Sequence, residues 1–209
     1  MSICTLGCQP VQLAVMGDST SLDDESFQGY ANHLAADFGP SVRTAWPDEN
    51  GRTSGRLLVQ VLEWAPVQEP HLVLFNAGLH DIARRDGVGP QVPLEEYQGN
   101  LRAIAAEILA LGATPVWRST TPIPEDYPRP DLRRNDDVIA YNEAASELMA
   151  ELGVLELDLY SIALPELEDW QIPQDFHFHP NGNEAMAREI SAWLRQEFGL
   201  GLTEVAAEE

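Results

Sequence analysis

The chain has 209 residues, 44% hydrophobic and 22% charged, a profile of folded globular proteins that argues against disorder. Its formal charge is −22, from 34 acidic side chains against 12 basic ones, which repels phosphate backbones and anionic lipid and so speaks against nucleic acid and membranes as partners. All of the basic residues are Arg, so chemistry that needs a Lys, such as a P-loop or a Schiff base, is excluded.

No apolar run reaches the roughly 20 residues of a membrane span, and the amino-terminal stretch lacks the basic-then-apolar pattern of an export signal. A soluble, cytoplasmic protein is therefore expected. Cys4 and Cys8 are too few and too close to one chain end for a disulfide framework, and they read as reduced thiols with no role.

In chain order, Val11 to Met16 reads as a buried strand. Ser26 to Phe38 reads as a helix closed by Gly39-Pro40, and Val42 to Trp46 as a short second strand. A helix over Arg56 to Trp64, stopped before Pro66, leads to a third strand from His71 to Phe75. Leu94, Tyr97, Leu101, Ile104, Ile108 and Leu111 recur at three- and four-residue steps, the apolar face of a long helix. Thr114 to Trp117 is a fourth strand, Asp136 to Leu152 a further helix, Val154 to Leu157 a fifth strand and Asn181 to Phe198 the last helix. The acidic tail after Gly201 is expected to fray. Strand then helix, five times over, predicts a parallel sheet with right-handed crossovers in one domain over residues 1–209. Its strands are expected to be uniformly apolar, because helices cover both faces.

In such a sheet the ligand lies beyond the carboxyl ends of the strands. Four polar motifs fall there. They are Gly17-Asp18-Ser19-Thr20, Asn50 to Gly55, Gly78-Leu79-His80-Asp81, and Asp175-Phe176-His177-Phe178-His179-Pro180-Asn181-Gly182. A serine hydroxyl is a weak nucleophile that needs a base; an imidazole supplies one, and a carboxylate on its other nitrogen fixes the tautomer.

These motifs, in this order over nearly the whole chain, resemble those of the SGNH/GDSL hydrolase family. The resemblance implies a three-layer α/β/α flavodoxin-like sandwich with a five-stranded parallel sheet. It implies a serine esterase acting through an acyl-Ser19 intermediate on a small carboxylic ester, such as an acetylated carbohydrate or a lipid, with no cofactor. The GDS block makes Ser19 the nucleophile. The last block makes His177 the base and Asp175 its acid, since Gln174 stands where the family's acid would be. An alternative register gives the base role to His179. The backbone amides of Ser19 and Gly55 are the expected oxyanion-hole donors, with Gly55 letting the backbone approach the substrate. His80 occupies the position of the family's usual Asn donor, and its N–H can serve only in the right tautomer. Asp18 and Asp81 read as braces of their turns. The Pro-rich stretch Thr121 to Arg134 is the expected wall or lid of the site.

Two other functions stay open on the residues alone. Asp175, His177 and His179 alternate, so with His80 or Asp81 they suit a metal-dependent hydrolase. A non-catalytic binding protein on the same fold also fits. Substrate and oligomeric state are not legible.

Overall fold

The computed structural model describes residues 10–23, 26–85 and 87–200. Cys4, Cys8 and the tail after Gly201 lie outside the described residues. Five parallel strands form one sheet: β1 (Val11–Met16), β2 (Val42–Ala45), β3 (Leu72–Phe75), β4 (Thr114–Arg118) and β5 (Leu155–Leu157). The strand order is β2-β1-β3-β4-β5. The register sets Leu13 beside Leu72 and Leu72 beside Thr114.

The pleat sorts alternate side chains to opposite faces. Ala14, Met16, Val73, Phe75 and Trp117 meet helices α2 (Ser54–Glu63), α4 (Leu94–Ala110) and α5 (Asn135–Leu152). Leu13, Val15, Leu72, Leu74 and Val116 meet α1 (Ala31–Phe38), α6 (Leu159–Ala163) and α8 (Pro180–Phe198). Two short helices complete the set, α3 (Ala65–Gln68) and α7 (Leu167–Trp170). The result is the expected three-layer α/β/α sandwich. Each fully buried Leu or Phe contributes about 1.5–3 kcal/mol to it. No described helix is long and apolar enough to cross a membrane.

Several local expectations change. The first helix begins at Ala31, five residues later than its pattern suggests. The segment before it is folded back instead: Ala31 N–H donates to Ser21 O at 3.0 Å and Gly29 N–H to Asp23 Oδ1 at 2.9 Å. A Cβ on Gly29 would lie 2.3 Å from the Ser21 carbonyl carbon, so only glycine permits this crossing. Pro66 does not end the helical path, because it sits in the first turn of α3, where its missing N–H costs nothing. The edge strands β2 and β5 are partly exposed and not uniformly apolar, since each has a neighbour on one side only. The run from Leu159 to Trp170 is helical where no helix is expected; the Asp158 side chain caps α6 by accepting from Ser161 N–H at 3.1 Å.

The strand order reverses direction between β1 and β3, which opens a crevice at their carboxyl ends. The turns after β1, β2 and β3 all open onto that edge.

Candidate active site

Ser19 lies in the tight turn after β1. Asp18 builds the turn: its carbonyl accepts from Ser21 and Leu22 N–H, both at 3.0 Å. Its Oδ1 accepts from Thr20 N–H at 3.0 Å and Thr20 Oγ1 at 2.6 Å. Asp18 is fully buried and braces the turn beneath the serine, as its place in the motif suggests.

Ser19 Oγ is 2.8 Å from His177 Nε2, and His177 Nδ1 is 2.6 Å from Asp175 Oδ1. The structure thus brings together three side chains from opposite ends of the chain. The loop that presents the imidazole is a narrow reversal. Gln171 and Phe178 form an antiparallel bridge, and Ile172 N–H donates to His177 O at 2.9 Å. Asp175 Oδ1 also accepts the His177 N–H at 3.0 Å, so one carboxylate orients both backbone and ring. The imidazole is held between two aromatic rings: Phe27 is stacked on it, and Phe176 is tilted 38° at 4.4 Å.

His179 stands apart from this relay. It precedes α8 as its cap residue, and its N–H donates to Trp170 O at 2.8 Å. Both ring nitrogens of His177 are engaged, one by Ser19 and one by Asp175. Among the described residues no three His, Cys, Asp or Glu side chains are grouped to hold a metal ion. The cluster of Asp175, His177 and His179 expected from their alternation therefore does not form; the reversal between Gln171 and Phe178 breaks the extended geometry it needs.

Asp81 is fully buried and spans two loops. Its carboxylate accepts from Ser54 N–H at 2.9 Å and Ser54 Oγ at 2.5 Å, which pins the start of α2 to the turn after β3. Burial raises its pKa from 3.8 to about 6, against the lowering effect of the Ser54 hydrogen bonds. Its neighbour His80 is half-buried, and its ring makes no hydrogen bond to a described residue. Burial lowers the His80 pKa; Asp18 raises it, and Arg133, Arg85 and Arg52 lower it further. The net effect is to favour the neutral form of the ring, which has one N–H to offer.

The amides at the start of α2 differ. Ser54 N–H is taken by Asp81 and Arg56 N–H by Thr53 Oγ1 at 3.4 Å, whereas Gly55 N–H has no acceptor among the described residues. Ser19 N–H is likewise unengaged there. Gly51, earlier in the loop that leads into α2, makes a close backbone contact of its own: its N–H donates to Gly17 O at 2.6 Å. Gly55 is one residue into α2, and a Cβ there would meet only Asn100 Nδ2 at 3.7 Å.

Arg118 is a residue that sequence reading passed over. It ends β4 and is fully buried, and among the described residues it has no carboxylate partner. Its guanidinium donates to Ser21 Oγ at 2.8 Å, Asn76 Oδ1 at 2.9 Å, Ser119 O at 3.0 Å and Thr20 Oγ1 at 3.2 Å. A charged residue closing an apolar strand at the ligand-binding edge is the signal that marks it. The stretch Thr121 to Arg134 packs on the site's rim: Arg133 Nε donates to Leu79 O at 2.6 Å, and its guanidinium lies 4.9 Å from the Phe176 ring centroid.

Fold and site together define a class: parallel α/β/α sandwiches with a Ser–His–Asp relay at the carboxyl edge of the sheet. The family model for the GDSL-like Lipase/Acylhydrolase family matches residues 15–185, and the chain belongs to that family. It is 30% identical to GDSL esterase/lipase WDL1 of Oryza sativa subsp. japonica over 147 residues, covering 63% of this chain and 56% of that protein. It is 24% identical to GDSL esterase/lipase At5g62930 of Arabidopsis thaliana over 214 residues, covering 89% and 88%. The match spans just over half the length of the rice protein and of two further Arabidopsis thaliana relatives, at 56%, 54% and 51%. Among solved structures, a lipase/acylhydrolase from Enterococcus faecalis superposes with a TM-score of 0.74 at 17% identity, over 89% of this chain and 96% of that one. Axe2, an acetylxylan esterase from Geobacillus stearothermophilus, gives 0.67 at 17% identity, over 93% and 97%. At such identities the likeness establishes the fold.

Proposed function

We propose that this chain hydrolyses a small carboxylic ester in two steps through an acyl-Ser19 intermediate. The observation that carries the reading is the continuous relay from Ser19 Oγ to His177 at 2.8 Å and from His177 to Asp175 at 2.6 Å. His177 Nε2 takes the hydroxyl proton as Oγ attacks the ester carbonyl. Asp175 holds the Nδ1–H tautomer and stabilises the imidazolium that forms. The carbonyl oxygen becomes an oxyanion and meets the unengaged N–H groups of Ser19 and Gly55 and an N–H of the His80 ring. Collapse expels the alkoxide, which takes the proton from His177 and leaves as the alcohol. Water, deprotonated by His177, then attacks the acyl-Ser19 carbonyl and releases the carboxylic acid, restoring the serine.

The ester in this reading is a small molecule such as an acetylated carbohydrate or a lipid. Structural neighbours of that chemistry, the acetylxylan esterases, support this only through their fold.

The test is turnover of p-nitrophenyl acetate by wild type and by Ser19→Ala, with fluorophosphonate labelling. Wild type should turn over the ester and label at Ser19, and the variant should do neither while unfolding cooperatively. Retained turnover in Ser19→Ala, or activity abolished by a chelator and restored by zinc, would overturn the reading.

A further inference from the structure

A cavity of about 410 Å³ opens beside the candidate site, with His80 in its wall. Its charged lining is Arg52, Arg56 and Arg85 against a single acid, Glu49. That balance inverts the composition of the chain, where acidic residues outnumber basic ones 34 to 12. Two loops produce the inversion: Arg52 and Arg56 flank the start of α2, and Arg85 follows the turn after β3.

Elsewhere in the described structure the arginines are mostly occupied. Arg84 holds Asp137 at 2.8 Å, Arg102 holds Glu151 at 3.1 Å and Arg195 holds Asp37 at 2.7 Å. Among the described residues, Arg56 alone of the cavity's three guanidinium groups has a partner, an exposed and loose contact with Glu49 at 3.8 Å. The side chains of Arg52 and Arg85 make no hydrogen bond or ion pair with a described residue. Both still act on the His80 ring, lowering its pKa, so their charge reaches the site. Exposed guanidinium groups gathered around one concavity raise a positive potential within it. Their forked donors match the two oxygens of a carboxylate.

We propose that this cavity is a subsite for a carboxylate carried by the ester substrate, on the acyl or the alcohol side of the scissile bond. The proposal rests on the ester-hydrolase reading above. Arg52 and Arg85 form the anion contact, and His80 joins the subsite to the reacting carbonyl. The enzyme is then selective for acidic esters, although its surface as a whole repels anions.

Two substrate pairs test it. One is p-nitrophenyl hydrogen glutarate against its methyl ester, which places the charge on the acyl side. The other is 4-acetoxybenzoate against its methyl ester, which places it on the alcohol side. For at least one pair, wild-type kcat/KM should favour the carboxylate by about tenfold, the combined effect of two partly screened charge contacts. The preference should fall towards one in the R52Q/R85Q double variant and shrink at high salt. A ratio at or below one in both pairs, or a preference unchanged in the double variant, overturns the subsite. Neutral esters turned over without discrimination would sink the subsite alone. Turnover of none of the four would end the esterase reading, and the subsite with it.

Discussion

The imidazole of His177 lies flat on the phenyl ring of Phe27, with centroids 3.6 Å apart and planes 4° from parallel. The face of an aromatic ring is electron-rich, so it attracts the imidazolium that forms when the serine proton arrives. It also excludes water from one side of the base. Phe27→Ala should therefore lower kcat/KM for a short ester by about three- to tenfold, and Phe27→Tyr should restore it. An alanine variant with wild-type kcat/KM would show that the stacking is incidental to turnover.

Arg118 joins the nucleophile turn to the strand beneath it. Lys carries the same charge but cannot span Ser21, Asn76, Ser119 and Thr20 at once. Arg118→Lys should destabilise the protein by about 1–3 kcal/mol, measured by denaturant unfolding. It should also lower kcat more than it raises KM, because the turn carrying Ser19 loses its brace. Unchanged stability and kcat would reduce Arg118 to a passive core residue.

The two glycines of the loop into α2 should respond differently. A Cβ at Gly51 would lie 2.8 Å from Leu57 Cδ1 in a buried position, and overpacking of this kind costs about 1–3 kcal/mol. Gly51→Ala should unfold at lower denaturant and lose activity as the loop shifts from Gly17. Gly55→Ala keeps its N–H and adds a methyl group where there is room, so its stability should hold and its kcat/KM stay within a few fold. A severe loss in Gly55→Ala would mean that the substrate lies against that α-carbon.

Asp81 should make stability depend on pH in an identifiable way. Its folded pKa is about 6, above the ordinary 3.8, so folding favours the protonated carboxyl. The stabilising contribution is complete below about 3.8 and is lost as pH rises through 6. Wild type should gain about 1 kcal/mol over Asp81→Asn on going from pH 7 to pH 5, read from urea midpoints of both proteins. An equal difference at the two pH values would show that Asp81 does not titrate in that interval.

Much of the architecture was legible because burial imposes period on a chain. The short apolar runs at Val11 to Met16 and His71 to Phe75, set between turns and helical patterns, match strands covered by helices, and the three-and-four spacing from Leu94 to Leu111 matches one face of a helix. Ser19 and His80 stood out because polar motifs just after strands reach the ligand edge of a parallel sheet, and Asp175 and His177 because their motif before the last helix resembles the family's last block. Local pattern is silent on contacts between residues distant along the chain. The Phe27 ring meets His177, and Arg118 meets the Ser19 turn, only after the sheet and its crossovers have closed. The same closure sets Arg52 and Arg85 around one cavity and turns the loop before α8 back on itself, so that His177 faces the serine while His179 starts a helix. Side-chain period is a property of neighbours in sequence, whereas a site is made by neighbours in space.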